Sequence, residues 1–191
     1  KDLLLLVWSY SPSDSYEDMM LPFKRAGFDF MVAPGLSMWS TVYPSMDTYT
    51  KNIANMVRDG YRHGAMGMMN TAWDDSGESL FNSTWHGMTW GAEMSWNPIL
   101  NMEPKLADAE RNERLDIFNH NFEKQFLHYP VANIAQFLSQ LEHTDIQDYF
   151  SFGTLFESVL DFYPSKVSSQ SFIDNQKIYQ QLKPFLNHFD M

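Results

Sequence analysis

The strongest constraint in the sequence is an alternation over its first 73 residues: three short apolar runs, separated by two longer stretches whose apolar residues recur at helical spacing. Leu-Leu-Leu-Leu-Val-Trp at 3–8 is continuously apolar and stops before Ser-Pro-Ser at 11–13, which is how a strand buried on both faces reads. Tyr16, Met19, Met20 and Phe23 follow at helical spacing behind Ser13 or Asp14 as N-cap, with Pro22 kinking or restarting the helix and Gly27 ending it. Residues 28–33 read as a second strand and 34–44 as a loop holding Trp39 and Tyr43. Residues 47–63 read as an amphipathic helix with Ile53, Met56, Val57 and Tyr61 on one face, closed by Gly64. A third strand is expected over 65–73, then a polar loop at 74–79 and a helix over about 80–96. Such alternation argues an α/β fold, a parallel sheet with helical crossovers.

The second half has a different character. All six Trp and eight of the nine Gly lie in the first 97 residues. Past Pro98 no further strand is evident, and 105–128, 131–143, 146–162 and 169–189 all carry helical spacing, as in Leu115, Phe118, Phe122 and Phe126. The chain therefore divides into an α/β segment, 1–97, and an α-helical region, 98–191.

Composition removes several classes of function. With 44% hydrophobic and 16% aromatic residues the chain can bury a core and is not disordered. Its 24 acidic against 13 basic side chains give a formal charge of −11 with no basic run, so nucleic acid is not an expected partner. The longest apolar run, 3–8, falls far short of the roughly 18 residues of a spanning helix, and no signal-peptide pattern opens the sequence. A membrane is not an expected partner, and the chain reads as soluble or already processed. There is no cysteine, hence no disulfide, thiolate site or Cys nucleophile. The six His show no His-x-x-x-His spacing, and no phosphate loop or nucleophile elbow occurs, so neither a metal nor another cofactor is expected.

In parallel βα folds the loops after the C-terminal strand ends carry the site. Here those loops hold Trp8, Ser9 and Tyr10 after the first strand, Trp39 after the second, and Trp73, Asp74, Asp75 and Glu78 after the third. Aromatic residues at one end of three successive units, joined by carboxylates, have the composition of a carbohydrate site: indole faces stack on sugar rings and carboxylates accept hydroxyl hydrogen bonds. The plainer alternative makes the Trp residues core, with Asp74 and Asp75 capping the next helix. Paired carboxylates also serve glycosidases as acid and base, although capping or ligand binding explains this loop as well.

Gly-Met-Met-Asn-Thr-Ala-Trp-Asp-Asp-Ser-Gly-Glu (67–78) and Trp-His-Gly-Met-Thr-Trp-Gly-Ala-Glu-Met-Ser-Trp-Asn (85–97) resemble the last barrel strand, its loop and the closing helix of glycoside hydrolase family 20, the β-N-acetylhexosaminidases and their relatives. Pro-Phe-Lys-Arg-Ala-Gly-Phe-Asp-Phe-Met-Val-Ala-Pro-Gly (22–35), with Trp39, is similar to the preceding unit. The resemblance implies that 1–97 is the C-terminal part of a (β/α)8 TIM barrel, about three βα units, since eight units need about 250 residues. It also implies a catalytic Asp-Glu pair upstream of Lys1, working by substrate-assisted retention, in which the substrate's own 2-acetamido oxygen attacks the anomeric carbon. Asp74-Asp75 follows the wrong strand for that role.

The resemblance further implies that Trp8 and Trp73 wall the terminal sugar, with Trp39 beside them, and that Tyr10 donates to the acetamido carbonyl. It implies too that Asp75, with Asp74 or Glu78, binds distal hydroxyls. The expected function is thus the sugar-binding side of an exo-acting hydrolase that removes terminal β-linked N-acetylhexosamine, in the periplasm or outside the cell. Its expected partners are the glycan and either the N-terminal remainder of the protein or a second copy, because a three-strand piece leaves an edge open. The rival expectations are a non-catalytic carbohydrate-binding module and a structural or interaction domain.

Overall fold

The computed structural model describes residues 3–39, 41, 43–74, 79–96 and 108–126, with the helical positions Ser139, Gln176, Gln180 and Lys183. Apart from those four positions, the helices expected at 131–143, 146–162 and 169–189 lie outside the described residues, as does the 97/98 boundary.

Strand β1 (Leu4–Trp8) pairs in parallel with β2 (Asp29–Ala33), Leu4 opposite Asp29 and Trp8 opposite Ala33. The parallel pairing needs a crossover, and α1 (Glu17–Arg25) supplies it. The expected third strand runs beside β2 in the same direction, but joins it only through bridges at Val32–Met68 and Gly35–Thr71. Val32 N–H donates to Gly67 O and Met69 N–H to Val32 O, and the next donor in a regular ladder would be residue 34. That residue is Pro34, which has no N–H, so regular pairing stops and resumes one residue on, with Thr71 N–H donating to Pro34 O and Leu36 N–H to Thr71 O.

Helix α2 (Met46–His63) is the spine of the molecule, closed as expected by Gly64 in the left-handed conformation at φ 83°. Nearly every residue from Tyr49 to Gly60 is buried, because α2 is covered on two sides. On one side Met56 joins Val7, Phe30, Val32, Tyr16 and Met20 in the core beneath the sheet. On the other, Tyr49, Ile53 and Val57 pack with Leu36, Met38, Trp90, Met94, Phe118 and Phe122. Those last four belong to α3 (Trp85–Trp96) and to α4 (Asp108–Asn121) with the π-helical turn Phe122–Phe126 that continues it.

Three expectations are corrected. β1 is not buried on both faces: Leu5 and Val7 meet the helices, whereas Leu4, Leu6 and Trp8 are 50%, 43% and 62% exposed. The cause is that the core residues of α1 and α2 both pack on the face of Leu5 and Val7. Helix α1 begins at Glu17 rather than beside Ser13 or Asp14, and its N-cap, Tyr16, makes no side-chain cap. The capping acceptor comes from α2, where Asp59 Oδ2 accepts from Tyr16 N–H at 2.7 Å, and the helix runs through Pro22 without ending. The helix expected over 80–96 opens as a 3-10 turn, Phe81–Thr84, before α3.

Helix α3 lies close against its neighbours through two glycines one turn apart. A Cβ on Gly87 would stand 2.7 Å from Leu36 Cδ2, and one on Gly91 2.6 Å from Asn70 Nδ2. Gly87→Ala is therefore expected to destabilise the protein by about 1–3 kcal/mol through overpacking, outweighing the roughly 1 kcal/mol gained in helix propensity. Urea unfolding of the two proteins measures the balance, and a more stable variant would contradict the packing.

Candidate functional site

A parallel arrangement presents its C-terminal ends together, so the loops after β1, β2 and the 65–73 segment share one end of the sheet. Tyr10, two residues past β1, is the centre of what they assemble. Its ring lies 5.4 Å from that of Trp8, tilted 44°, and 4.9 Å from that of Trp39, tilted 38°. Trp73 Nε1–H donates to the Tyr10 hydroxyl oxygen at 2.6 Å. Four residues singled out in the sequence, Trp8, Tyr10, Trp39 and Trp73, thus form one contiguous aromatic cluster drawn from three loops. Trp8 and Trp73 keep 62% and 51% of their surface exposed, so both present open ring area.

The backbone around the cluster is shaped to admit it. A Cβ on Gly35 would stand 2.6 Å from Tyr10 Cδ1 and 3.2 Å from the Trp39 ring, so only glycine lets the tyrosine ring lie against this stretch of chain. Ser37 adopts a left-handed φ of 50° between Leu36 and Met38, both buried, and its buried Oγ has no partner among the described residues. Strained backbone of this kind is costly and collects in loops that carry function. The Ser79 hydroxyl lies against the carbonyls of Met38 and Thr41 and ties the third loop to the second.

Asp74 is exposed, and its Oδ1 accepts from Ser79 N–H at 3.4 Å, a long bond that favours local turn capping over a poised catalytic group. Asp75 and Glu78 lie outside the described residues. No group of three or more His, Asp or Glu among the described residues is placed to hold a metal ion. A cleft of about 640 Å3 opens elsewhere, between α3 and α4, lined by Trp90, Met94, Trp96, Phe118 and Phe122. It contains none of the loop-end aromatics.

Sequence reasoning missed the buried Arg58–Asp59 pair and two further buried polar centres. The first is Asn52 on α2, fully buried, whose amide reaches both aromatic loops. Its signal was an asparagine, a poor helix former, in the interior of a strongly amphipathic helix. Beside it the Tyr16 hydroxyl donates to Ser11 O at 2.6 Å, and burial pushes the phenol up, which keeps it protonated as a donor. The second is His86, on the opposite side of α2. The Tyr49 hydroxyl donates to its Nδ1, and its Nε2–H donates to Asn119 Oδ1, each at 2.7 Å. With the Phe118 and Phe122 rings edge-on to it, burial pushes the imidazole from its ordinary 6.5 down to about 4. A neutral imidazole with both nitrogens engaged joins α2, α3 and α4 and is a structural pin.

No protein-family model matches the chain, and no curated protein matches it either.

Proposed function

We propose that this chain forms the sugar-binding side of the pocket of a glycoside hydrolase of the family 20 type, which removes terminal β-linked N-acetylhexosamine by substrate-assisted retention. The observation that carries the reading is the Tyr10 cluster: a phenol held between two indole rings, its oxygen accepting from a third indole N–H. Because Trp73 has taken the role of donor, the Tyr10 hydroxyl proton remains for an outside acceptor, and no described residue accepts it. A 2-acetamido carbonyl is an acceptor of the right kind. Holding that oxygen in place is what substrate-assisted attack needs, because its cost is largely one of orientation. The open faces of Trp8 and Trp73 suit the apolar face of a pyranose. Asp74, Asp75 and Glu78 take the distal hydroxyls, and the acid/base pair belongs to residues preceding this chain, in a protein that works in the periplasm or outside the cell. The bare sheet face of Leu4, Leu6 and Met69 supports association with that N-terminal remainder or with a second copy.

Titrating the chain with N-acetylglucosamine trisaccharide, read by Trp fluorescence, tests the site. Trp73→Ala is expected to weaken binding about tenfold or more, since one aromatic–sugar stack and the Tyr10 hydrogen bond go together. Equal binding by parent and variant, or no binding by the parent, would overturn the site. In the intact protein the same substitution is expected to lower kcat/KM on an aryl N-acetylglucosaminide. Saccharide binding by an intact protein that never turns this substrate over would instead identify a non-catalytic carbohydrate-binding module, which the aromatic cluster by itself equally serves.

A further inference from the structure

Tyr10 and Gly35 come from different loops, yet their contact leaves no room for a Cβ. Something must hold the two loops at that separation, and α2 supplies one buried side chain that touches both. Asn52 Oδ1 accepts from Gly35 N–H at 3.0 Å, in the loop after β2. Its Nδ2 donates to Ser9 O at 3.0 Å and to the Tyr16 hydroxyl at 2.8 Å, and lies 3.4 Å from Ser11 O. Ser9 and Ser11 flank Tyr10. The amide therefore grips the backbone on both sides of the tyrosine and the glycine against which its ring lies, with no solvent exposure of its own. An amide presents one acceptor and two donors on a planar group, and every one of them is used here. A carboxylate would keep the acceptor but place an oxygen where the amide donates to Ser9 O and to the Tyr16 hydroxyl, and alanine would leave the buried Gly35 N–H and the part-buried Ser9 O without this partner.

We infer that Asn52 is the positioning residue of the aromatic site, setting the distance between the Tyr10 and Gly35 loops and through it the Tyr10–Trp73 hydrogen bond. It touches no sugar in this reading and acts through Tyr10. The link to sugar affinity rests on the proposed function, whereas the link to Tyr10–Trp73 geometry does not. A neighbouring amide provides the control. Asn55 is also buried on α2 and also holds the connection after β1, with Nδ2 donating to Ser13 O at 2.7 Å, but its bond falls three residues past Tyr10 and it bonds to neither Ser9, Ser11 nor Gly35.

The test uses the full chain with Asn52→Asp, Asn52→Ala and Asn55→Ala, followed by the Trp73 indole N–H resonance, far-UV circular dichroism and affinity for N-acetylglucosamine trisaccharide. Both Asn52 variants are expected to move the Trp73 resonance upfield and to lose about tenfold in affinity, with helical content kept. Asn55→Ala is expected to lower stability without moving that resonance. An unmoved resonance in the Asn52 variants, or an equal movement in Asn55→Ala, would overturn the assignment and leave Asn52 an ordinary structural contact. Should the Asn52 variants not fold, the parent protein decides: the Asn52 side-chain amide protons are expected to exchange slowly with solvent, and fast exchange overturns the clamp. A moved resonance in the Asn52 variants of a parent that binds no saccharide would uphold the positioning role and refute the sugar site.

Discussion

Asp59→Ala is expected to lower the free energy of unfolding by about 3–5 kcal/mol, the usual cost of stranding one member of a buried ion pair. Asp59 and Arg58 are both almost wholly buried, and Arg58 Nε–H donates to Asp59 Oδ1 at 2.8 Å. The guanidinium also donates to Asn55 Oδ1 at 3.0 Å and to the Asp14 carbonyl at 2.6 Å. The other carboxylate oxygen receives Tyr16 N–H at 2.7 Å and the Ser15 hydroxyl at 3.0 Å, and so caps α1 from outside that helix. Removing the carboxylate strands a cation in the interior and uncaps α1 in one step. Urea unfolding gives the size of the loss. The double variant Arg58→Met/Asp59→Leu is expected to be more stable than Asp59→Ala, because no charge is left behind. If Asp59→Ala loses less than about 1 kcal/mol, the range of a solvated pair, the interior position of the pair is wrong.

The second large effect is a loss of stability on acidification that passes through His86. The unfolded chain binds a proton at this residue below its ordinary pKa of 6.5, whereas the folded chain, with the imidazole desolvated, binds it only near 4. Between those values the unfolded state holds the extra proton, so stability falls as pH is lowered from 6.5 and this contribution levels off below about 4. The gap between the two values corresponds to about 3 kcal/mol at full extent. Well above pH 6.5 His86 is neutral in both states and adds no slope. His86→Gln is expected to be less stable at pH 7, since it weakens the bonds to Tyr49 and Asn119, but to show a shallower decline between pH 6.5 and 4. Unfolding free energies of parent and variant across that range measure the difference, and parallel curves would show that burial of His86 does not control its proton.

The βαβα order was legible because apolar runs and their spacing report which segments are buried: the continuous run at 3–8, and the helical spacing of Ile53, Met56 and Val57, although Met56 packs beneath the sheet and the other two on the opposite side of α2. Where the reading failed, a neighbour decided. The N-cap of α1 was sought in Ser13 and Asp14, but Asp59, 43 residues from Tyr16, takes that part. The third strand was read from an apolar run, while its pairing depended on Pro34, just past the end of β2. Of the site, the aromatic residues were legible from their position past strand ends. Asn52 was not, because an amide's value lies in which carbonyls surround it.

The sequence by itself determined the helical crossovers, the stop at Gly64 and the aromatic character of the strand-end loops, since these follow from local conformational preference and from apolar spacing. Only the tertiary structure decided that Trp8, Tyr10, Trp39 and Trp73 touch, that β1 is bare on one face, and that Asn52, Asp59 and His86 serve partners far along the chain. The reason is physical. A buried polar group must find its partner wherever the fold supplies one, and residue spacing carries no record of which segment that will be.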